Sequence, residues 1–178
     1  VMTENKDLVA VFATVEGEIE VEDDGTYPVN FPKNTTATRT DRKLNAVSLT
    51  ATGGEKQTLN VTGSKVYNDL TTKESNHFKC QPGENLKAEF SYTGSWMHGY
   101  VFIDENNDKQ FSFAEGNTDQ TGTEVKSFSF YSGDFNNDAS GYNSAGSYLT
   151  GNSRNTMACP SFPAPVESGT YRIRFKVD

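Results

Sequence analysis

Short runs in which every second residue is apolar dominate this chain, and they constrain its fold more than any other feature. The clearest are Leu86–Tyr92 and Tyr171–Val177, where apolar and polar residues alternate. Successive side chains of a strand point to opposite faces, so each run predicts a strand with one face towards a core. No long window repeats apolar residues with helical spacing, and helices are therefore not expected.

Clusters of Gly, Asn and Asp separate these runs, as in proteins built from short antiparallel strands. The pattern predicts an all-β fold, a two-sheet antiparallel β-sandwich that is jelly-roll-like or Ig-like. Residues 41–178 are predicted to form this sandwich, and residues 1–40 a short appended piece or extra strands of it. The other predicted strands are Leu8–Thr14, Glu18–Glu22, Ala46–Thr50, Thr58–Thr62, Gly99–Asp104 and Val125–Tyr131.

The polar face of the last predicted strand carries three cations, Arg172, Arg174 and Lys176. Alternation assigns them to the face opposite the core, so they are expected to lie in water. The alternative is that they form a docking face for the acidic surface of a neighbouring domain.

The net charge restricts the partners of the chain. Its 178 residues include 24 acidic and 16 basic ones, which gives a formal net charge of -8. This balance disfavours nucleic acid and anionic membrane surfaces, because both attract basic clusters. It is compatible with neutral polymers such as glycans and with cations. No run of about 18 apolar residues occurs, so membrane insertion is not expected.

Two cysteines, Cys80 and Cys159, lie far apart in the sequence. In a secreted protein they could pair across the sandwich, and the other interpretation is two buried free thiols. The sequence leaves both open. Neither cysteine has a neighbouring His, so a zinc site is not expected.

Four features between Arg42 and Asp178 follow one another in a recognisable order. They are Tyr67–Thr71, with the form Tyr-x-Asp-x-Thr; Pro82 and Gly83 before a strand; Val101–Asp108 followed by Phe111; and the closing strand Gly169–Arg174. Together they resemble the GEVED domain family, in the form common in secreted Bacteroidetes proteins. Lys109 stands where that family usually has Gly, and a Glu-Val-Glu-Asp string occurs only upstream, at Glu20–Asp23. The resemblance implies an extracellular β-sandwich module attached to secreted hydrolases or adhesins, and it implies no catalytic residue.

Asp104–Glu115 has the length and oxygen spacing of a twelve-residue calcium loop. Position 6 of such a loop is normally Gly, but here it is Lys109, and no helices flank the loop. The alternative is a tight turn between strands that Asn and Asp residues cap. The predicted ligands are the side chains of Asp104, Asn106, Asp108 and Glu115 and the backbone carbonyl of Gln110, with Ser112 at position 9.

Aromatic residues beside polar ones predict a glycan site, because aromatic rings stack on sugar C–H patches while amides and hydroxyls bind sugar hydroxyls. The alternative is that Trp96 fills the core and the tyrosines anchor a long loop. The predicted ligand-binding residues are Trp96, Tyr131, Phe135, Tyr142 and Tyr148.

No catalytic motif is found, and neither His77 nor His98 sits in a metal-ligand motif. We therefore expect a non-catalytic accessory module of a larger secreted or surface protein, located in the extracellular space, at the cell surface or in the periplasm. Its expected partners are a glycan or polysaccharide and neighbouring domains of the same polypeptide, with calcium as the candidate cofactor. The alternatives are a structural spacer or adhesin domain, and a glycoside hydrolase-associated catalytic domain.

Overall fold

A computed structural model describes residues 7–9, 27, 31–94, 97–111, 124–130, 143–148 and 155–177. Within these ranges the chain forms ten strands and one short 3-10 turn, Glu74–Asn76. The strands are β1 (Asp7–Val9), β2 (Lys43–Ala51), β3 (Gln57–Asn60), β4 (Tyr67–Asn68), β5 (Asn85–Thr93), β6 (His98–Asp104), β7 (Val125–Phe130), β8 (Thr156–Ala158), β9 (Phe162–Pro163) and β10 (Arg172–Val177).

Two five-stranded sheets contain all of these strands. The first sheet has the order β4-β1-β10-β6-β7, and the second has the order β3-β2-β5-β8, with β9 also paired to β5. The pairings are antiparallel except for β1 with β4. The predicted all-β sandwich is confirmed. The predicted strand Glu18–Glu22 and most of Leu8–Thr14 lie outside the described residues.

Apolar side chains of both sheets meet in an inter-sheet core. Strand β5 follows the predicted alternation, because Leu86, Ala88, Phe90 and Tyr92 are buried while Lys87 is exposed. A β-bulge between Leu44 and Ala46 shifts the parity of β2, so that Leu44 and Val47 both face this core. Gly99 on β6 admits Met157 of β8, because a Cβ at Gly99 would lie 2.7 Å from the Met157 sulfur.

The opposite face of the first sheet carries a second cluster, which we call the outer cluster. Its buried members are all aromatic: Tyr27, Tyr67, Tyr100, Phe102 and Phe111. The prediction that Arg174 and Lys176 lie in water is wrong, because they are only 4% and 2% exposed. The outer cluster covers them: the Arg174 guanidinium lies 5.3 Å from the centre of the Phe102 ring, and the Lys176 ammonium lies 5.3 Å from that of Tyr100.

Strand registers define two ends of the sandwich. At the end that we call the turn end, β5 finishes and β2 begins, with Thr93 opposite Lys43, and β6 starts at His98, five residues further along the chain. At the loop end, β6 finishes with Asp104, which lies opposite Arg172 at the start of β10. The predicted calcium loop therefore lies at the end opposite Lys43.

Both cysteines are free thiols, Cys80 exposed and Cys159 buried, so the disulfide alternative is not observed. Burial raises the pKa of Cys159 above its ordinary value, which keeps it a neutral packing residue. Across the described ranges, no helix has the length and apolarity to span a membrane.

Candidate metal centre

Three carboxylates converge at the loop end of the sandwich. One carboxylate oxygen from each of Asp104, Asp108 and Glu124 lies within 4.8 Å of the other two. Asp104 and Glu124 are buried, at 0% and 3% exposure, whereas Asp108 is exposed. Like-charged carboxylates this close repel one another, and a cation bound between them would remove that repulsion.

Asp104 is held by two donors on one of its oxygens. The Tyr27 hydroxyl donates to Oδ2 at 2.5 Å, and the Lys109 backbone N–H donates to the same oxygen at 3.1 Å. The other oxygen, Oδ1, has no hydrogen-bond partner within the part of the chain that the structure describes. A buried carboxylate oxygen without a donor is costly, so Oδ1 is a candidate ligand for a cation.

Local hydrogen bonds fold the loop around the cluster. The Asn106 side chain accepts from the Asp108 backbone N–H at 2.9 Å, and Asp108 Oδ1 accepts from the Gln110 N–H at 2.8 Å. Lys109 has a φ of 66°, so the chain makes the left-handed turn of position 6 without the usual Gly. The departure from the calcium-loop pattern at this position therefore does not prevent the turn.

Glu124 is the site residue that the sequence did not predict. It immediately precedes β7, and its carbonyl accepts from the Ile103 N–H at 3.0 Å, which places it beside the end of β6. Its Oε1 accepts from the Glu105 backbone N–H at 3.2 Å. The Glu105 carboxylate pairs instead with Lys126 at 2.5 Å, away from the cluster. The pairing of β6 with β7 was the missing signal, because it brings Glu124 next to Asp104.

The other predicted metal ligands have mixed outcomes. Asn106 and Gln110 are exposed on the loop, and the Asn106 amide donates to Asp108 Oδ2 at 2.9 Å. Glu115 lies outside the described residues.

Most of the predicted glycan site falls outside the described residues, namely Trp96, Tyr131, Phe135 and Tyr142. Tyr148 is described, and it is 51% exposed. It belongs to residues 143–148, which contact the edge strand β7, since the Ser144 side chain accepts from the Phe128 N–H at 3.1 Å. An exposed aromatic beside an edge strand is compatible with a sugar contact.

Arg172 lies opposite Asp104 in the strand register, and its charge acts on Tyr27. Burial and the hydrogen bond to Asp104 nevertheless raise the pKa of Tyr27 above its ordinary value. The phenol therefore stays protonated and acts as a donor to Asp104.

Comparison of the chain with protein-family models, curated proteins and solved structures gives no match in any of the three. The resemblance to the GEVED domain family therefore stays a prediction.

Proposed function

We propose that this chain is a non-catalytic, calcium-binding β-sandwich module of a larger extracellular protein. The observation that supports the calcium site best is the fully buried Asp104 carboxylate, which keeps one oxygen without a partner beside Asp108 and Glu124. Calcium takes oxygen ligands in flexible geometries and tolerates a loop of this kind. The Asp104, Asp108 and Glu124 carboxylates would hold the ion, with the Asn106 side chain and the Gln110 carbonyl as further oxygens of the loop.

The proposed role of calcium is structural. The three carboxylates belong to the end of β6, the loop that follows it and the residue just before β7. An ion shared by these elements would tie the β6–β7 hairpin together and remove the repulsion between its carboxylates.

Isothermal titration of the metal-stripped chain with calcium tests this proposal. One bound ion and a higher unfolding temperature are expected, and Glu124→Gln should remove both. The matched control is Glu55→Gln, because Glu55 is an exposed carboxylate in the β2–β3 turn. If no calcium binds and the unfolding temperature does not change, the proposed calcium site is wrong. The positive charge that compensates the carboxylates would then be that of Arg172.

Glycan binding is the second proposed function, and it rests on the exposed Tyr148 and on topology. The described residues that flank Trp96, namely Gly94 and Met97, lie at the turn end. Both ends of the 131–155 segment also lie at the turn end. Phe130 pairs there with His98, and Thr156 pairs with Ser91. The predicted aromatic residues thus belong to segments that start from one end of the sandwich.

A glycan array probed with the purified chain, in calcium and in EDTA, tests glycan binding. Binding that is lost in Tyr148→Ala and Trp96→Ala but retained in Val166→Ala would support it. Val166 is the control because its side chain is 80% exposed in a different loop. No binding in either buffer, with the fold intact, would favour the structural spacer instead.

A further inference from the structure

A groove of about 110 Å³ opens at the turn end of the sandwich, far from the carboxylate cluster. It lies where the chain after β3 runs beside the start of β2, since the Val61 N–H donates to the Asn45 carbonyl at 2.8 Å. A bridge between Thr36 and Lys65 closes its other wall. Its polar lining includes Arg39, Thr40, Lys43, Ser64 and Lys65, and its apolar lining includes Leu44 and Val61.

The groove is basic although the chain as a whole is acidic. Its lining, among the described residues, includes the basic side chains of Arg39, Lys43 and Lys65 and no acidic one, against 24 acidic and 16 basic residues in the whole chain. A local potential of one sign in a concave site attracts the opposite charge even where the net charge is unfavourable. The groove therefore favours an anionic partner, whereas the net charge of the whole chain favours neutral polymers and cations.

Two of the three cations that line the groove are not neutralised by a carboxylate. The Lys65 ammonium donates to the neutral Asn34 carbonyl at 2.6 Å, and the exposed Lys43 has no ion partner among the described residues. Arg39 differs, because it forms a bidentate pair with Asp41 at 3.0 and 2.5 Å. This hydrogen bonding holds the pKa of Asp41 below its ordinary value and keeps the pair charged.

We infer that this groove binds an anionic substituent, a carboxylate or a sulfate ester, on an acidic polysaccharide. The volume accommodates such a group with part of its sugar ring, and Leu44 and Val61 offer apolar surface to the ring C–H bonds. Lys43 and Lys65 supply charge-assisted hydrogen bonds. The inference rests on the proposed glycan function for its ligand class, and it is independent of the calcium site.

Titration with trigalacturonate, with its methyl ester and with a sulfated galactan oligosaccharide tests this inference. The ester is the matched neutral probe, because it differs from the acid only in charge. We expect the acid or the sulfated sugar to bind at least tenfold more tightly than the ester, and whichever is tighter identifies the substituent. Lys43→Glu should abolish that preference, whereas Lys73→Glu, the same charge change on an exposed lysine elsewhere, should preserve it.

Each other result has a defined meaning. If the acid and the ester bind equally, or if Lys43→Glu and Lys73→Glu weaken binding equally, the inferred anion site in the groove is wrong. The proposal of glycan binding would still stand. If only neutral glycans of the array bind, the inferred groove site is again wrong while glycan binding stands. If no glycan binds, both the groove site and the proposed glycan function are wrong. Tighter binding of a short DNA duplex than of either anionic sugar would also overturn the inference. Lys43→Gln, which only removes the charge, gives a second measurement if Lys43→Glu fails to fold.

Discussion

The inter-sheet core and the outer cluster bury aromatic side chains in different chemical surroundings. The inter-sheet core joins two sheets and is lined by aliphatic and aromatic groups, such as Phe90 and Phe175, whose rings meet edge to face at 6.0 Å. The outer cluster covers one face of one sheet and encloses the charged residues Asp104, Arg174 and Lys176. One region is therefore stabilised by apolar burial alone, and the other also depends on how its charges are compensated.

Because of this difference, the stability of the two regions should depend on different conditions. Apolar burial responds to side-chain volume and little to ions or pH. Buried charges respond to ions, pH and donor geometry, because an uncompensated charge in an apolar site is expensive. Calcium and the Tyr27 proton should therefore act on the outer cluster and leave the inter-sheet core unchanged.

The largest expected effect is that of Phe90→Ala in the inter-sheet core. Phe90 is almost fully buried, and its truncation should lower the free energy of unfolding by about 3–5 kcal/mol. Urea unfolding with calcium and with EDTA measures the loss, which should be the same in both. A loss found only in calcium would show that the two regions are not energetically separate.

Asp104→Asn should remove the calcium-dependent part of the stability. At calcium concentrations of about 100 times the dissociation constant, binding to the native state adds about 2.7 kcal/mol, and the variant should lack this increment. The readout is the difference in urea unfolding between calcium and EDTA, with Glu55→Gln as the control. An increment equal to that of the wild type would exclude Asp104 as a ligand.

Tyr27→Phe should weaken calcium binding by about 10- to 100-fold, because the phenol orients the Asp104 carboxylate. The variant keeps the ring that stacks on Phe111 at 5.5 Å. Tyr171→Phe is the control, since the Tyr171 hydroxyl donates to a surface carbonyl at 3.0 Å. Calorimetry distinguishes the two variants, and equal affinities would contradict a positioning role for Tyr27.

The same variant should also change the alkaline limb of the stability curve. Burial and the bond to Asp104 raise the pKa of Tyr27 above its ordinary value of 10.0, so the folded state retains this proton more strongly than the unfolded state. The resulting stability is complete below that ordinary value and is lost as the pH rises above it. Unfolding free energies of the wild type should therefore fall more steeply above that pH than those of Tyr27→Phe.

The smallest expected effects are gains from two glycine substitutions in the loop after β6, Lys109→Gly and Asn107→Gly. Lys109 adopts a left-handed φ of 66°, which costs a non-glycine residue about 1–2 kcal/mol, while the added freedom of unfolded Gly offsets about half of it. We expect Lys109→Gly to raise the free energy of unfolding by less than about 1 kcal/mol and to tighten calcium binding slightly. Asn107→Gly, at a φ of 55°, should gain less because Asn tolerates this region. Thermal unfolding compares the two, and a loss in Lys109→Gly would contradict the strain.

Strand positions could be predicted from the sequence because alternation is a local property. It identified β5 and assigned Phe175 and Val177 of β10 to the core. It failed for Arg174 and Lys176, because alternation states which residues share a face and not what covers that face. The cover includes Tyr27, whose hydroxyl contacts Asp104 across 77 residues of sequence.

The carboxylate cluster shows the same limit. Asp104 and Asp108 are four positions apart in the sequence, so their convergence follows from the spacing within one turn. Glu124 joins them only through the pairing of β6 with β7, which begins with Val125 opposite Phe102. The spacing rule pointed to Glu115, which lies outside the described residues. It could not point to Glu124, because it assumes one continuous loop and contains no information on strand pairing.

The pairing of β1 with β10 also has a mechanical consequence. Asp7 lies opposite Val177, so the first residue of β1 and the last residue of β10 lie at the same end of the sandwich. Tension applied through both would separate this antiparallel pair one hydrogen bond at a time, starting at that end, instead of shearing all of its bonds together. In a tethered protein the pair would therefore yield at low force while the inter-sheet core stays folded. Single-molecule pulling from positions 6 and 178 should show an early, small extension before the main unfolding event.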